Sequence, residues 1–401
     1  MEPQPSLSAS SSASSALSAM ESANSRRRAL YTVVATLAGL ATTVFLVASS
    51  SSSQQQQQKA LSSPSLRTSM LSSSGKTASS STRYASLEGT EKKALFDSFM
   101  DEFGKSYASD NEKDLRYANF KAFLKLIDER NDKEAAAKNT AVHGVTQFAD
   151  LSEEEVRQYL LGYKATDRRR LKFKATAADV PKYEGSETAV NWADVYTTNV
   201  RDQGYCGSCW AYSTAEQMES DGIRAGYLTT SDKLSVQQMV SCDTVDLGCN
   251  GGNTETAYEY VNGAGGLMLE ASYPYTSYFD ISGTCSVTSS SEYAVTVDKY
   301  YTVGSEDDMV DYVLGNGPLS ICAAASSWTS YKGGVVSSCD DEVDHCIQVT
   351  GVDTDQNYWI VRNSWGKSWG NDGYIYLETG KNMCAISNDP TYTQVSLVSR
   401  R

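Results

Sequence analysis

All nine cysteines of this 401-residue chain lie beyond position 205. An odd set of nine in an exported chain accommodates four bridges and one unpaired thiol. The chain therefore divides into a cysteine-free front and a back that can be cross-linked. Its length exceeds what one hydrophobic core usually spans, so at least two folded units are expected. Charge follows the same division. Residues 180–401 carry 29 acidic against 11 basic side chains, a balance of −18, whereas residues 1–179 carry 20 against 24, or +4. A total of −14 supplies no basic face for phosphates and argues against a general nucleic-acid binder. A hydrophobic fraction of 40% with 10% aromatics excludes a wholly disordered chain.

Residues 1–28 are Ser/Ala-rich and of low complexity, and read as a cytosolic tail. Arg26, Arg27 and Arg28 precede an uncharged run at 29–48, long enough to cross a bilayer as a helix. Two readings stand: an uncleaved signal-anchor, making the precursor a single-pass type II membrane protein, or a signal peptide cut near Ala48. Either sends the rest into the secretory pathway, where disulfides form. Residues 49–86 read as a flexible tether. From Leu87, apolar residues at helical spacing predict two amphipathic helices: Leu95, Phe96, Phe99 and Phe103, then Leu115, Phe120, Phe123, Leu124 and Ile127. Residues 166–178, with Arg168–Arg170, read as an exposed linker, either a solvated loop or a cleavage site between domains. Beyond Val180 glycine, tyrosine and cysteine rise. One helix is expected over Ala211–Ala225, and antiparallel strands over Asn357–Arg362 and Gly373–Glu378.

The strongest chemical signal is Gln203-Gly-Tyr-Cys206-Gly207-Ser-Cys209-Trp210. Two cysteines three apart suit a metal half-site or a redox pair, but neither a second ligand pair at suitable spacing nor a βαβ setting accompanies them. A Gly-rich loop running into a helix suits a nucleophile, because the helix N-terminus favours thiolate. Cys209 is that candidate. The chain has two histidines, His143 and His345, and only His345 lies beyond the linker. It would protonate the leaving amine. Asn363 would orient the ring, with Trp365 covering their bond. Gln203 and the Cys209 N–H would stabilise an oxyanion.

These residues resemble the papain-like cysteine peptidases, in GYCGSCW at 204–210, LGCNGG at 247–252, YPY at 273–275, VDHC at 343–346 and NSWGKSWGNDGY at 363–374. The front resembles the inhibitory propeptide of the cathepsin L-like branch. Glu112, Arg116, Phe120, Ile127 and Asn131 match its helix pattern, and Gly144, Phe148 and Asp150 its second motif. Phe123 and Thr146 replace asparagines of those patterns. The resemblance implies an α+β, two-lobed papain-like fold: a helical left lobe and an antiparallel, barrel-like right lobe at 180–401, behind a helical propeptide at 87–179 and the N-terminal apolar segment.

It also implies bridges Cys206–Cys249, Cys242–Cys285 and Cys339–Cys384, with Cys209 free. Cys322 and Cys346 would be either a fourth bridge or two small buried thiols, on strands beside the S2 pocket. That pocket receives the side chain P2, second before the scissile bond. Asp389 falls at its floor, where a carboxylate would admit Arg or Lys. Thr254 falls on its wall. Gly207, Gly251 and Gly252 would let substrate backbone lie close, and Asp344 would hydrogen-bond near the mouth. The expected activity is that of an endopeptidase without metal or organic cofactor, acting on proteins and peptides and monomeric when mature. It is made as a zymogen inhibited by its own propeptide and activated by acid in a lysosome-like or vacuolar lumen, or else secreted. No nucleic-acid partner is expected, and a membrane is met only through residues 29–48.

Overall fold

The computed structural model describes residues 83–398; the tail, the apolar run and nearly all of the tether fall outside the described residues. Among the described residues no helix is long and apolar enough to cross a membrane. The front half begins with helices α1 (Gly89–Glu102) and α2 (Asp110–Ala137). Ser109 caps α2 by accepting the Glu112 N–H, and Lys138 ends it in the left-handed region at φ 59°. Phe96 and Phe99 pack on Phe120, Phe123, Leu124 and Ile127 in a separate small core. Phe123 is buried there, which accounts for an apolar residue where the related pattern has asparagine. Leu115, expected on the buried stripe, faces solvent at 59% exposure. Helix α3 (Glu153–Tyr159) opens with a Ser152/Glu155 capping box. Arg116 of α2 holds the same Glu155 in a two-pronged ion pair at 2.6 and 2.8 Å.

Strand β1 (Val142–His143) leaves this unit to pair with β6 (Tyr331–Gly333). A nine-stranded sheet contains β2 (Thr176–Ala177), β3 (Ala189–Asn191), β4 (Val295–Thr302), β5 (Leu319–Ala323), β7 (Val335–Val336), β8 (His345–Asp353), β9 (Tyr358–Arg362), β10 (Tyr374–Glu378) and β11 (Thr391–Leu397). Its order is β2-β4-β11-β5-β8-β9-β10-β7, with β3 on β8. The order is open, so the barrel-like half expected from the resemblance is a sheet without closure among the described residues. The strands expected over 357–362 and 373–378 form as β9 and β10.

Helix α4 (Cys209–Arg224) is the expected 211–225 helix begun two residues earlier. Alongside it lie α5 (Val236–Cys242), α6 (Thr254–Ala264) and α7 (Glu306–Gly315). One apolar core gathers around α4, α5, α6 and β4, and another around β5, β8, β9 and β10 with Trp328, Trp359, Trp365 and Trp369. Helix α4 is buried nearly throughout, so its charges need partners. Glu219 receives Arg201 at 2.7 Å, the Thr198 hydroxyl at 2.6 Å and the Leu234 N–H at 2.7 Å. Asp221 receives the N–H and hydroxyl of Thr393, both at 2.8 Å.

Residues 166–178 are no loose linker. Leu171 is buried, Phe173 packs on Tyr300 at 5.4 Å, and β2 joins the sheet parallel to β4.

Candidate active site

The first residue of α4 and the first residue of β8 bring Cys209 and His345 into the same buried region. Cys209 is the one free cysteine among the described residues, and all eight others are paired: Cys206–Cys249, Cys242–Cys285, Cys322–Cys346 and Cys339–Cys384. Cys322 and Cys346 are direct cross-strand partners on β5 and β8, and their sulfurs share one buried cluster with Cys209. Of the two alternatives for that pair, the structure contains the bridge. The N–H groups of Cys346 and Gly162 point at the Cys209 sulfur and favour its thiolate. Burial outweighs them and pushes the thiol up to about 11.

His345 Nε2 lies 2.8 Å from Asn363 Oδ1. The Ser364 N–H donates to the same oxygen at 2.8 Å, which fixes the amide's orientation. An amide oxygen only accepts, so Nε2 carries the proton. In the neutral ring Nδ1 is then an acceptor, and it has no hydrogen-bond partner among the described residues. The Trp365 ring covers the imidazole at 4.9 Å, with Trp328 edge-on at 6.3 Å. Burial lowers the imidazole to about 4, against the Asn363 bond and the Leu160 carbonyl, both of which favour the cation.

Gln203 is held by its oxygen: the Ser364 hydroxyl donates to Oε1 at 2.6 Å. Its Nε2 donates to the carbonyls of Leu160 at 3.1 Å and Cys206 at 2.9 Å. Leu160 belongs to the chain leaving α3, so the donor assigned to an oxyanion already holds a carbonyl of the front half. That segment continues through the cleft. The Gly252 N–H donates to the Gly162 carbonyl at 2.8 Å, the Tyr163 N–H to the Asp344 carbonyl at 2.9 Å, and the Lys164 N–H to the Gly252 carbonyl at 2.7 Å. Tyr163 thus runs parallel to Gly252. A Cβ on Gly162 would lie 1.9 Å from the Gly207 carbonyl oxygen, and one on Gly251 would lie 2.6 Å from the Gly162 carbonyl oxygen, so the close approach requires glycine on both sides.

The remaining expected residues are dispersed around this path. Gly207 donates its N–H to the Cys249 carbonyl, and Gly251 turns the chain at φ 106°. The Asp344 carboxylate accepts from the Ala325 N–H at 2.8 Å, and burial pushes it up to about 7. Thr254 begins α6, buried, its hydroxyl unpartnered among the described residues. Asp389 accepts the Tyr163 hydroxyl at 3.1 Å and is paired with Arg168. Sequence reasoning missed Leu160, Gly162, Tyr163, Ser364 and Glu255. Gly162-Tyr163 carried no periodicity, and Glu255 reads from sequence as an ordinary first-turn acid of α6.

The second histidine serves docking. His143 Nδ1 meets the Ser330 hydroxyl at 2.9 Å, and Arg130 donates to the hydroxyls of Thr329 and Ser330. Thr146, standing where the related motif has asparagine, donates its hydroxyl to the Thr329 carbonyl at 2.6 Å.

Comparison with known proteins agrees with this geometry. Residues 186–394 match the papain family cysteine protease model, and residues 96–156 match the cathepsin propeptide inhibitor domain. Cysteine proteinase B of Leishmania mexicana is 36% identical over 77% of this chain and 70% of its own length. Cysteine proteinase 1 of Dictyostelium discoideum is 35% identical, over 74% of this chain and 91% of its own. The digestive procathepsin L 3 of Tenebrio molitor larval midgut superposes with a TM-score of 0.64 at 30% identity, over 75% of this chain and 98% of that one. The chain belongs to the papain family of cysteine proteases and carries the family's inhibitory propeptide ahead of the protease domain.

Proposed function

We propose that Cys209 is the nucleophile, His345 the acid and base, Asn363 the residue that orients the ring, and Gln203 with the Cys209 N–H the oxyanion site. In the open cleft the Cys209 proton passes to Nδ1 of His345. The thiolate adds to the scissile carbonyl, the oxyanion taking the Gln203 donor that Leu160 now occupies. The C–N bond breaks as His345 protonates the amine, leaving a thioester on Cys209. His345 then takes a proton from water, whose oxygen displaces the sulfur. The observation that carries this reading is the path of residues 160–164, which places a carbonyl at the Gln203 amide and an N–H at the Cys209 sulfur. The covered cleft disfavours both thiolate and imidazolium, so latency is electrostatic as well as steric.

The domain assignment proposed is a tail at 1–28, an anchor or signal at 29–48, a tether at 49–86, the propeptide at 87–179 and the catalytic domain at 180–401. Four disulfides suit an oxidising lumen. We place the enzyme in the secretory pathway, its precursor directed there by residues 29–48 as anchor or signal, and activated in a lysosome-like or vacuolar compartment or else secreted. The test is acid activation followed by labelling with an epoxide thiol inhibitor and N-terminal sequencing of the labelled band. Label on Cys209, and no peptide hydrolysis by matured Cys209→Ala, are the expected results. Equal hydrolysis by that variant would sink the assignment.

A further inference from the structure

The run Arg168–Arg170 divides in the folded chain. The side chains of Arg169 and Arg170 are 90% and 88% exposed and lie beside Asp167. Arg168, its side chain 51% exposed, lays its guanidinium on two carboxylates. Its Nε donates to both oxygens of Glu255, at 3.0 and 2.8 Å, and its Nη2 to Oδ1 of Asp389. The Glu255 and Asp389 side chains are 2% and 12% exposed. Glu255 comes from the first turn of α6 and Asp389 from the chain entering β11, so two separate elements deliver two buried carboxylates to one guanidinium.

The site is continuous with the reacting centre. Oδ2 of Asp389 accepts the Tyr163 hydroxyl at 3.1 Å. Tyr163 pairs with Gly252 and packs against the Cys209, Cys322 and Cys346 cluster. One side chain of the strap thus reaches from the nucleophile to Asp389, and a second closes the far side. Two neighbouring carboxylates left together without a cation repel each other. Departure of the strap leaves them in that condition. The group that replaces Arg168 best is another planar fork with several donors, since a single ammonium is a point charge.

We propose that Glu255 is a second specificity-determining carboxylate which, with Asp389, forms a two-pronged acidic seat for an arginine side chain at P2 of the substrate, and that Arg168 holds this seat in the latent chain. The inference rests on the cleft assignment above and adds to it the chemical class of the preferred substrate: peptides with a guanidinium, rather than an ammonium or an aliphatic group, at P2.

The test uses the full-length chain and its Glu255→Gln, Glu255→Asp and Asp389→Asn variants, each acid-activated and titrated with an epoxide thiol inhibitor so that only intact sites are counted. Three fluorogenic peptides share P1 and carry Arg, Lys or Leu at P2. Glu255→Gln lowers the Arg:Leu ratio of kcat/KM about tenfold. Asp389→Asn lowers it at least as far, and the Arg:Lys ratio falls in both. Glu255→Asp, which keeps the charge, recovers most of the parent ratio. A Glu255→Gln ratio within twofold of the parent, with Asp389→Asn depressed, would mean that Asp389 acts alone and would overturn the proposal. Unchanged ratios in both variants would remove P2 from this seat altogether. Titratable parent enzyme that cleaves none of the three peptides would overturn the cleft assignment itself, and the seat with it.

Discussion

The Gln203 amide is aimed before any substrate arrives, because the Ser364 hydroxyl takes its oxygen and leaves only N–H donors facing the cleft. Donors fixed in advance cost no reorganisation when charge develops, and removing one lowers kcat by about 10²–10³. Gln203→Ala should show that loss in site-titrated mature enzyme. Ser364→Ala, which only frees the amide to rotate, should cost less and leave KM nearly unchanged. Cys209 gives a second outcome at this scale. Its thiol is pushed up to about 11 under the strap, so neutral solution holds little thiolate. Alkylation of the latent chain at Cys209 should therefore keep rising with pH through about 9 and 10, whereas the opened site reacts fast near neutrality. Fast alkylation of the latent chain at neutral pH would contradict this account.

Among the elements, α4 and the strap impose opposite demands. Helix α4 is enclosed, so each of its acids depends on a dedicated partner. Arg201→Ala leaves Glu219 without its guanidinium, and a broken buried pair of this kind costs about 3–5 kcal/mol. Urea unfolding of the chain should show a drop of that size; a loss below about 1 kcal/mol would mean that Thr198 and the Leu234 N–H suffice. The strap depends instead on having no side chain at 162, where a Cβ meets the Gly207 carbonyl at 1.9 Å. Gly162→Ala should lift the segment and produce peptidase activity in the full-length chain at neutral pH, before any cleavage is seen on a gel. These demands differ in how far sequence reveals them. The α1 and α2 stripes were legible because burial on one helix face leaves a period. The 160–178 strap was not, because an extended segment lying on a ready-made surface takes its partners from that surface and needs no repeat of its own.

For the whole molecule, the propeptide is tied together by Arg116 and Glu155 while it grips the segment at 329–337. Burial pushes the Glu155 carboxyl up, but the bonds from Arg116 and Ser152 overcome this and hold it below its ordinary value of 4.5. A depressed carboxyl stabilises above its unfolded pKa, and that contribution is lost as pH falls through the folded one. Loosening through this pair therefore begins below about pH 4.5. Processing of the parent should accelerate there, and Glu155→Gln, which cannot charge, should process readily at neutral pH with a flatter profile. Identical profiles for the two chains would remove Glu155 from acid activation.

Sequence alone determined the chemistry that depends on residue type at close spacing. A helix-starting cysteine after a Gly-rich loop, one histidine beyond the linker, and an odd cysteine count each constrain what can react, because local backbone and electron demand are set within a few residues. Tertiary structure alone decided what depends on distant groups meeting. It bonded Cys322 to Cys346 across two strands, laid Leu160 on the Gln203 amide, and closed Glu255 and Asp389 on Arg168. Those contacts join positions up to 221 residues apart. No local pattern encodes them, since their energy arises only when folding removes water from between the partners.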